Sequence, residues 1–379
     1  VNGYNGKLSV REFLVALILA KCTISSCKNL LFGLQCICKY FGGSMSFSDK
    51  MKAKAKSFGN VLVLPEGEEV RTVTAAAKIL SEKIASKVYL LGEKSKIEAV
   101  AKQAGVSLDG LDLVDPAKSD LLDSFSKAYY EKRKAKGMTE EEAKSDMLKT
   151  VNFAAMMLAQ GKVDAMVAGA LHTTADVLRA GLKIVGTKAG VKTASSCFLM
   201  ETPVREYGKD GVFIFSDCSV VPTPSAEQLA DIVFQAAESF RTFVEAEPVV
   251  ALLSYSTKGS GGDKDENILR VREATKLVLE RKPDFIFDGE LQTDAAIVPS
   301  VMQKKAPNSE VKGQANTLIF PDLGSGNIGY KLVQRLAKAE AYGPFLQGFA
   351  RPLSDLSRGC SVDDIVTTAA VTLVQAGKR

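Results

Sequence analysis

The chain has no tryptophan and a single histidine, His172. One imidazole excludes a histidine-rich metal centre, and without tryptophan there is no indole to build an aromatic cage. A Ser-His-Asp relay would have to use His172, yet Ser357 lies far along the chain and no G-x-S-x-G surrounds it. Cysteine is sparse: of seven, Cys22, Cys27, Cys36 and Cys38 fall in the first 44 residues, at spacings that fit no zinc site. Only Cys197, Cys218 and Cys360 remain, which argues for a reducing, cytoplasmic compartment and against a disulfide framework. Neither charge sign dominates. There are 49 basic and 44 acidic side chains, net +5, with no long Lys/Arg block or aromatic–basic interleaving, so nucleic acid is not expected as a partner. An anionic small molecule stays open, because a few arginines focused in a cleft need not move the total. No long apolar run is present either. Phe13 to Ala20 is far short of the roughly 20 residues that span a bilayer, and Lys21 follows at once without a small-x-small cleavage site. No membrane partner is expected.

At 379 residues, 46% hydrophobic and 25% charged, the composition is that of an ordinary globular protein of two domains. Residues 1–44 stand apart. They carry five basic residues and one acid, hence +4 of the total +5. Val1 is not an initiator side chain, whereas Met45 opens "MSFSDKMKAKAKSFGNVLVLPEG", so the functional chain is expected to begin at Met45, with 1–44 an extension outside it.

From Met45 onward, short β-rich runs alternate with amphipathic stretches. Strands are predicted at 60–65, 86–92, 163–169, 211–217, 248–256, 283–290 and 316–322. Between them, "EEVRTVTAAAKILSEK" and "AEQLADIVFQAAESFRTFV" carry apolar residues at three- and four-residue spacing, as helices do. This rhythm predicts α/β layers with largely parallel sheets, whose ligands gather beyond the carboxyl ends of strands.

Three loops there draw attention. In "SYSTKGSGGDK", Lys258 with Gly259, Gly261 and Gly262 suits a phosphate, though without the Walker spacing, and a plain surface loop reads equally well. In "FPDLGSGNIGYKLVQRL", Gly324, Gly326 and Gly329 make a formal G-x-G-x-x-G that lacks the acid expected about 20 residues on. A helix N-terminus facing an anion is its better use. In "FDGELQTDAAIVP", Asp288, Glu290 and Asp294 suit a divalent cation or acid–base work, or merely the positive end of a helix.

The stretch "LSRGCSVDDIV" near the C-terminal end has two readings. Ser361 and Asp364 before an apolar run have the form of a capping box. Arg358 beside a helix start also makes a positive fork for phosphate or an oxyanion, with Asp364 one turn away as a base. The residues alone leave both open.

"LPEGEEVRT", "GALHTTADVLRAG", "PSAEQLADIV", "ALLSYSTKGS", "DGELQTDAAIVP", "FPDLGSGNIGYKLVQRLAKAEAYGP" and "LSRGCSVDDIV", in this order, resemble the phosphate acetyltransferases (phosphotransacetylases) of the phosphate acetyl/butyryltransferase family. The resemblance covers essentially all of 45–379 and fails for 1–44. It implies reversible acetyl transfer between coenzyme A and inorganic phosphate, without metal, cofactor or covalent enzyme intermediate, by a homodimer. The implied fold is a pair of three-layer α/β domains with an interdomain cleft, isocitrate/isopropylmalate dehydrogenase-like. The first domain takes 45–188 and 346–379, and the second, 189–345, is inserted. Asp364 is then the base for the CoA thiol, Arg358 holds acetyl phosphate, and Ser357 bonds the oxyanion. Arg133 and Arg179 match positions that bind substrate and CoA, Lys258 and Asn327 join the substrate-binding set, and Cys360 is a neighbour of the centre rather than a nucleophile. Two alternatives are phosphate butyryltransferase-like transfer and an NAD(P)- and metal-dependent decarboxylating dehydrogenase of similar fold.

Overall fold

Eleven strands in two sheets organise the described residues, 45–378, of this computed structural model. In chain order the strands are β1 (Val61–Leu64), β2 (Lys87–Leu91), β3 (Asp112–Val114), β4 (Ala165–Ala168), β5 (Ser195–Glu201), β6 (Val212–Ser216), β7 (Val249–Leu253), β8 (Ile286–Leu291), β9 (Thr317–Ile319), β10 (Glu340–Gln347) and β11 (Leu353–Asp355). The helices are α1 (Phe47–Phe58), α2 (Val70–Ser81), α3 (Lys94–Ala104), α4 (Leu122–Arg133), α5 (Glu140–Met147), α6 (Thr150–Ala159) and α7 (Thr174–Ala180). They continue with α8 (Ala226–Val244), α9 (Glu266–Glu280), α10 (Thr293–Ile297), α11 (Pro299–Lys305), α12 (Leu323–Leu336) and α13 (Val362–Gln375).

The first sheet runs β11-β4-β1-β2-β3 and is parallel throughout. β1 and β4 are buried along their whole length, which explains the uninterrupted apolar run "VLVL". The second sheet runs β10-β5-β6-β9-β7-β8, antiparallel at β10/β5 and β5/β6 and parallel beyond. All seven predicted strands are present. Those that sequence reasoning missed are β3, β5, β10 and β11. β10 contains Gly343 and Pro344, which read as strand breakers. It lies at a sheet edge with a register shift between Tyr342 and Phe345, where a residue without an N–H donor is tolerated. β11 is only three residues long, and its polar Ser354 is buried by accepting from Thr372 Oγ1 of α13 at 2.7 Å.

Helix limits follow the caps. α8 opens with a Ser225/Gln228 capping box and buries Leu229, Ile232, Val233, Ala236 and Phe240 on one stripe. α2 opens on Glu69, whose carboxylate accepts from the Thr72 N–H at 2.9 Å, and buries Val73, Ala76 and Ile79. Residues from Lys50 onward form one compact unit. Within it, Val220, from the loop after β6, packs against the apolar cluster of the first sheet. Expectations that concern residues 1–44 lie outside the described residues.

Candidate active site

Because β11, β4 and β1 are adjacent and parallel, their carboxyl ends deliver three loops to one edge of the first sheet. Glu66, in the loop after β1, is only 3% exposed. Its carboxylate accepts the main-chain N–H groups of Gly169, Ala170, Leu171 and His172 at 2.8–3.0 Å, and His172 Nδ1 lies 2.9 Å away. Burial alone would push this carboxyl up. The His172 ring and the row of N–H groups more than offset that and hold it below its usual value. His172 Nδ1 therefore carries the proton that meets Glu66.

Arg71, in the first turn of α2, reaches the other two loops. Its Nη1 donates to the carbonyls of Arg358 and Cys360, each at 2.8 Å, and its Nη2 to the carbonyl of Ala170 at 3.0 Å. Glu69 steadies the guanidinium through Nε at 2.7 Å. Asp355, the last residue of β11, is buried and accepts from Thr174 Oγ1 at 2.6 Å. Burial, opposed by the Thr174 bond and reinforced by Glu66, pushes its pKa up to about 6. Gly169 fits between these loops only because it has no side chain. Its φ is +114° and an added Cβ would lie 2.5 Å from Asp355 Oδ1.

On this base stands the stretch Ser357–Asp364. Ser357, Arg358 and Asp364 are exposed. The Arg358 guanidinium makes no hydrogen bond or ion pair among the described residues, although its carbonyl is fixed by Arg71. The capping box is real. Asp364 Oδ2 accepts from the Ser361 N–H at 2.8 Å and from Ser361 Oγ at 2.9 Å, while Ser361 Oγ accepts the Asp364 N–H at 3.1 Å. Only one carboxylate oxygen is used in this way, so cap and base do not exclude each other. Asp363 is different, since it pairs with Lys78 at 2.6 Å. Cys360 is buried, with Sγ 3.9 Å from Arg71 Nη1, and burial pushes its thiol up despite Arg71. It is a poor nucleophile there.

The remaining candidates are distributed as follows. Arg179 projects from α7, whose Thr173 cap follows the Glu66-bound loop, and pairs with Asp176 at 2.7 Å. Arg133 ends α4 and lines a separate open pocket of about 630 Å³ with Lys183, its Nε buried without an acceptor. Lys258 and the glycine loop do not present themselves as a phosphate cradle. Lys258 Nζ is paired with Asp288 and donates to the Gly289 carbonyl at 2.6 Å. The N–H groups of Gly259, Gly261 and Gly262 go to Glu290, to Ser256 Oγ and to the Gly259 carbonyl.

The acids expected to suit a cation are likewise engaged. Asp288 meets Lys258, the buried Glu290 meets Arg272 and Ser256, and Asp294 meets Lys305 at 2.9 Å. Only Asp294 opens a helix. Among the described residues no group of three His, Cys, Asp or Glu side chains is arranged to hold a metal ion. Gly326 of α12 serves packing, because a Cβ there would lie 2.3 Å from the Asp217 carbonyl. In the first turn of that helix the Leu323 N–H goes to the Pro222 carbonyl at 3.1 Å and the Ser325 N–H to Asp322 Oδ1 at 2.8 Å. Asn327 donates to the Cys218 carbonyl at 3.1 Å, on the loop after β6.

A profile described as "Phosphate acetyl/butaryl transferase" matches residues 46–373. A phosphate acetyltransferase of Treponema pallidum is 60% identical over 336 residues, 88% of this chain and all of the relative. That of Escherichia coli is 44% identical over 335 residues, 88% of this chain and 45% of the relative. Among solved structures, a phosphotransacetylase from Streptococcus pyogenes superposes with a TM-score of 0.82 at 38% identity, covering 88% of this chain and 99% of that one. The EutD phosphotransacetylase of Staphylococcus aureus gives 0.78 at 38% identity, covering 87% and 99%. The class is thus that of an acyl-transferring enzyme. The chain belongs to the phosphate acetyl/butyryl transferase family.

Proposed function

We propose that this chain catalyses acetyl-CoA + phosphate ⇌ CoA + acetyl phosphate. The observation that carries this reading is an unpartnered Arg358 on the loop braced by Arg71, followed by a half-used Asp364 in the first turn of α13. Asp364 removes the proton of the CoA thiol, which is mostly protonated at neutral pH because thiols titrate near 8.5. The sulfur attacks the acetyl carbonyl carbon, the carbonyl oxygen takes up negative charge, and the C–O bond to phosphate then breaks. Arg358 forks onto the phosphate and carbonyl oxygens, and Ser357 Oγ donates to the oxyanion. Phosphate leaves with the electron pair of the broken bond. Arg179 and Arg133 attract the anionic parts of CoA, and Asn327 and Lys258 stand on the side of the second sheet. CoA is a substrate, and the reaction as written needs no cofactor.

The two sheets are centres of two α/β domains, 45–188 with 346–379 and 189–345, in an isocitrate/isopropylmalate dehydrogenase-like arrangement with the reaction in the cleft. A homodimer is supported by an apolar stripe on α12, where Ile328, Leu332 and Leu336 are 61%, 52% and 79% exposed at four-residue spacing. Buried free thiols at Cys197, Cys218 and Cys360 support a cytoplasmic location. Thioester formation with acetyl, propionyl and butyryl phosphates tests the reading. Acetyl phosphate is expected to react best, and preference for butyryl phosphate would favour the butyryl branch instead.

A further inference from the structure

Asp355 does little for the fold in which it is buried. It ends β11, opposite Ala168 of β4, and its Oδ2 accepts from Thr174 Oγ1 at 2.6 Å. Its Oδ1 is buried without a donor. No cation compensates it. Arg71 is engaged with Glu69 and three main-chain carbonyls, the His172 ring goes to Glu66, and Glu66 itself is of like charge. Burial first, and then Glu66, raise the Asp355 pKa against the Thr174 bond, so above about pH 6 the fold holds an ionised group that it disfavours. A buried carboxylate with one empty oxygen destabilises a protein, and such groups gather where the chemistry requires them.

The bond joins two parts of the reaction site. Ser357 and Arg358 follow Asp355 within three positions. Thr174 opens α7, which ends with Arg179 and its neighbour Ala180, and a helix carries a displacement of its first residue to its last turn. Other contacts near this helix start do not reach β11. The Thr173 cap bonds only to Asp176, and Glu66 holds the loop as far as His172. Among the described residues, Thr174 to Asp355 is the one side-chain hydrogen bond between α7 and β11.

We propose that the Asp355–Thr174 bond is a positioning contact for acetyl transfer, which sets Arg179 at a fixed distance from Ser357 and Arg358. It rests on the roles given above to those three residues. Asp355 and Thr174 act through α7: they place the arginine that attracts CoA in register with the loop that holds acetyl phosphate. Arg71 braces that loop independently, so loss of the bond displaces the CoA side alone.

The test is steady-state thioester formation from CoA and acetyl phosphate by the full chain. Thr174→Val removes the hydroxyl and keeps the shape at an exposed position. The KM for CoA is expected to rise about 3–10-fold and that for acetyl phosphate by less than about twofold, with near-normal melting. Thr174→Ser restores the hydroxyl and is expected to restore the wild-type KM. In an Arg179→Ala background, Thr174→Val is expected to add less than about twofold, because both act on one contact with CoA. Asp355→Asn keeps an acceptor oxygen but loses the charge, and is expected to raise the same KM by a smaller factor. An unchanged KM for CoA in Thr174→Val, an equal rise in both KM values, or full additivity with Arg179→Ala would each overturn the proposal. Failure of the wild-type chain to form the thioester is a different result, seen before any substitution, and would overturn the acetyl-transfer reading and this contact's role with it.

Discussion

The guanidinium of Arg71 lies 2.8 Å from the main-chain carbonyl of Arg358, 287 positions away in sequence. The same side chain holds the carbonyls of Cys360 and Ala170, so one residue of α2 fixes the loops that follow β4 and β11. The charge proposed to meet the substrate, Arg358, is thus placed through its backbone, and its side chain stays free.

Arg71→Ala releases three carbonyls to water without opening the core. Turnover is expected to fall about 10–100-fold if Ser357–Asp364 carries the proposed chemistry, because a displacement of that stretch by about 1 Å is enough. Arg71→Lys is expected to recover only part of it, since an ammonium cannot span the three carbonyls in one plane. Steady-state kinetics of both variants, with melting as a control, check this. Unchanged turnover in the alanine variant would show the clamp to be dispensable.

Arg358→Lys keeps the charge and loses the fork. A fall in kcat of at least about tenfold with little change in melting is expected, because the planar pair of bonds to phosphate and carbonyl oxygens is not replaced. Wild-type turnover would remove Arg358 from the role assigned to it.

Glu66 makes a pH-dependent contribution of known sign. Its folded pKa lies below the ordinary value of 4.5, so the carboxylate stabilises the fold above that value. The contribution disappears as pH falls through the lower folded pKa. In Glu66→Gln an amide NH₂ must face main-chain donors, and a loss on the order of 3 kcal/mol is expected at neutral pH. Urea unfolding across the acid range is the check. The gap between wild type and variant narrows below pH 4.5 if Glu66 is the carboxylate described, and stays constant if it is not.

Much of this architecture was legible in the residues. Buried parallel strands announce themselves as runs such as "VLVL", and α8 by its apolar spacing. The capping box of Ser361 and Asp364 was readable because it is local. What escaped was long-range. Glu66 and Arg71 stand in "LPEGEEVRT", and nothing in that segment says that it grips residues about 100 and 290 positions on. Asp355 was hidden in a strand too short to show a period. Lys258 and Asp288 read as separate opportunities for phosphate and cation because pairing between the loop after β7 and the interior of the neighbouring β8 is invisible along the chain. Gly326 mimicked a nucleotide turn for a steric reason, the close approach of the Asp217 carbonyl.

Asp364→Asn separates the two roles of that side chain most directly. An asparagine oxygen still accepts the Ser361 N–H, so the helix start is retained with a loss of about 1 kcal/mol or less. It takes no proton from the thiol, and loss of a general base costs about 10²–10⁴-fold. The deciding measurement is turnover of this variant as a function of pH, alongside its melting temperature. Near-normal melting is expected, with turnover down at least about a hundredfold near neutrality and a defect that narrows toward the thiol pKa near 8.5. A variant that melts early yet turns over at the wild-type rate would contradict the account, leaving Asp364 a cap and nothing more.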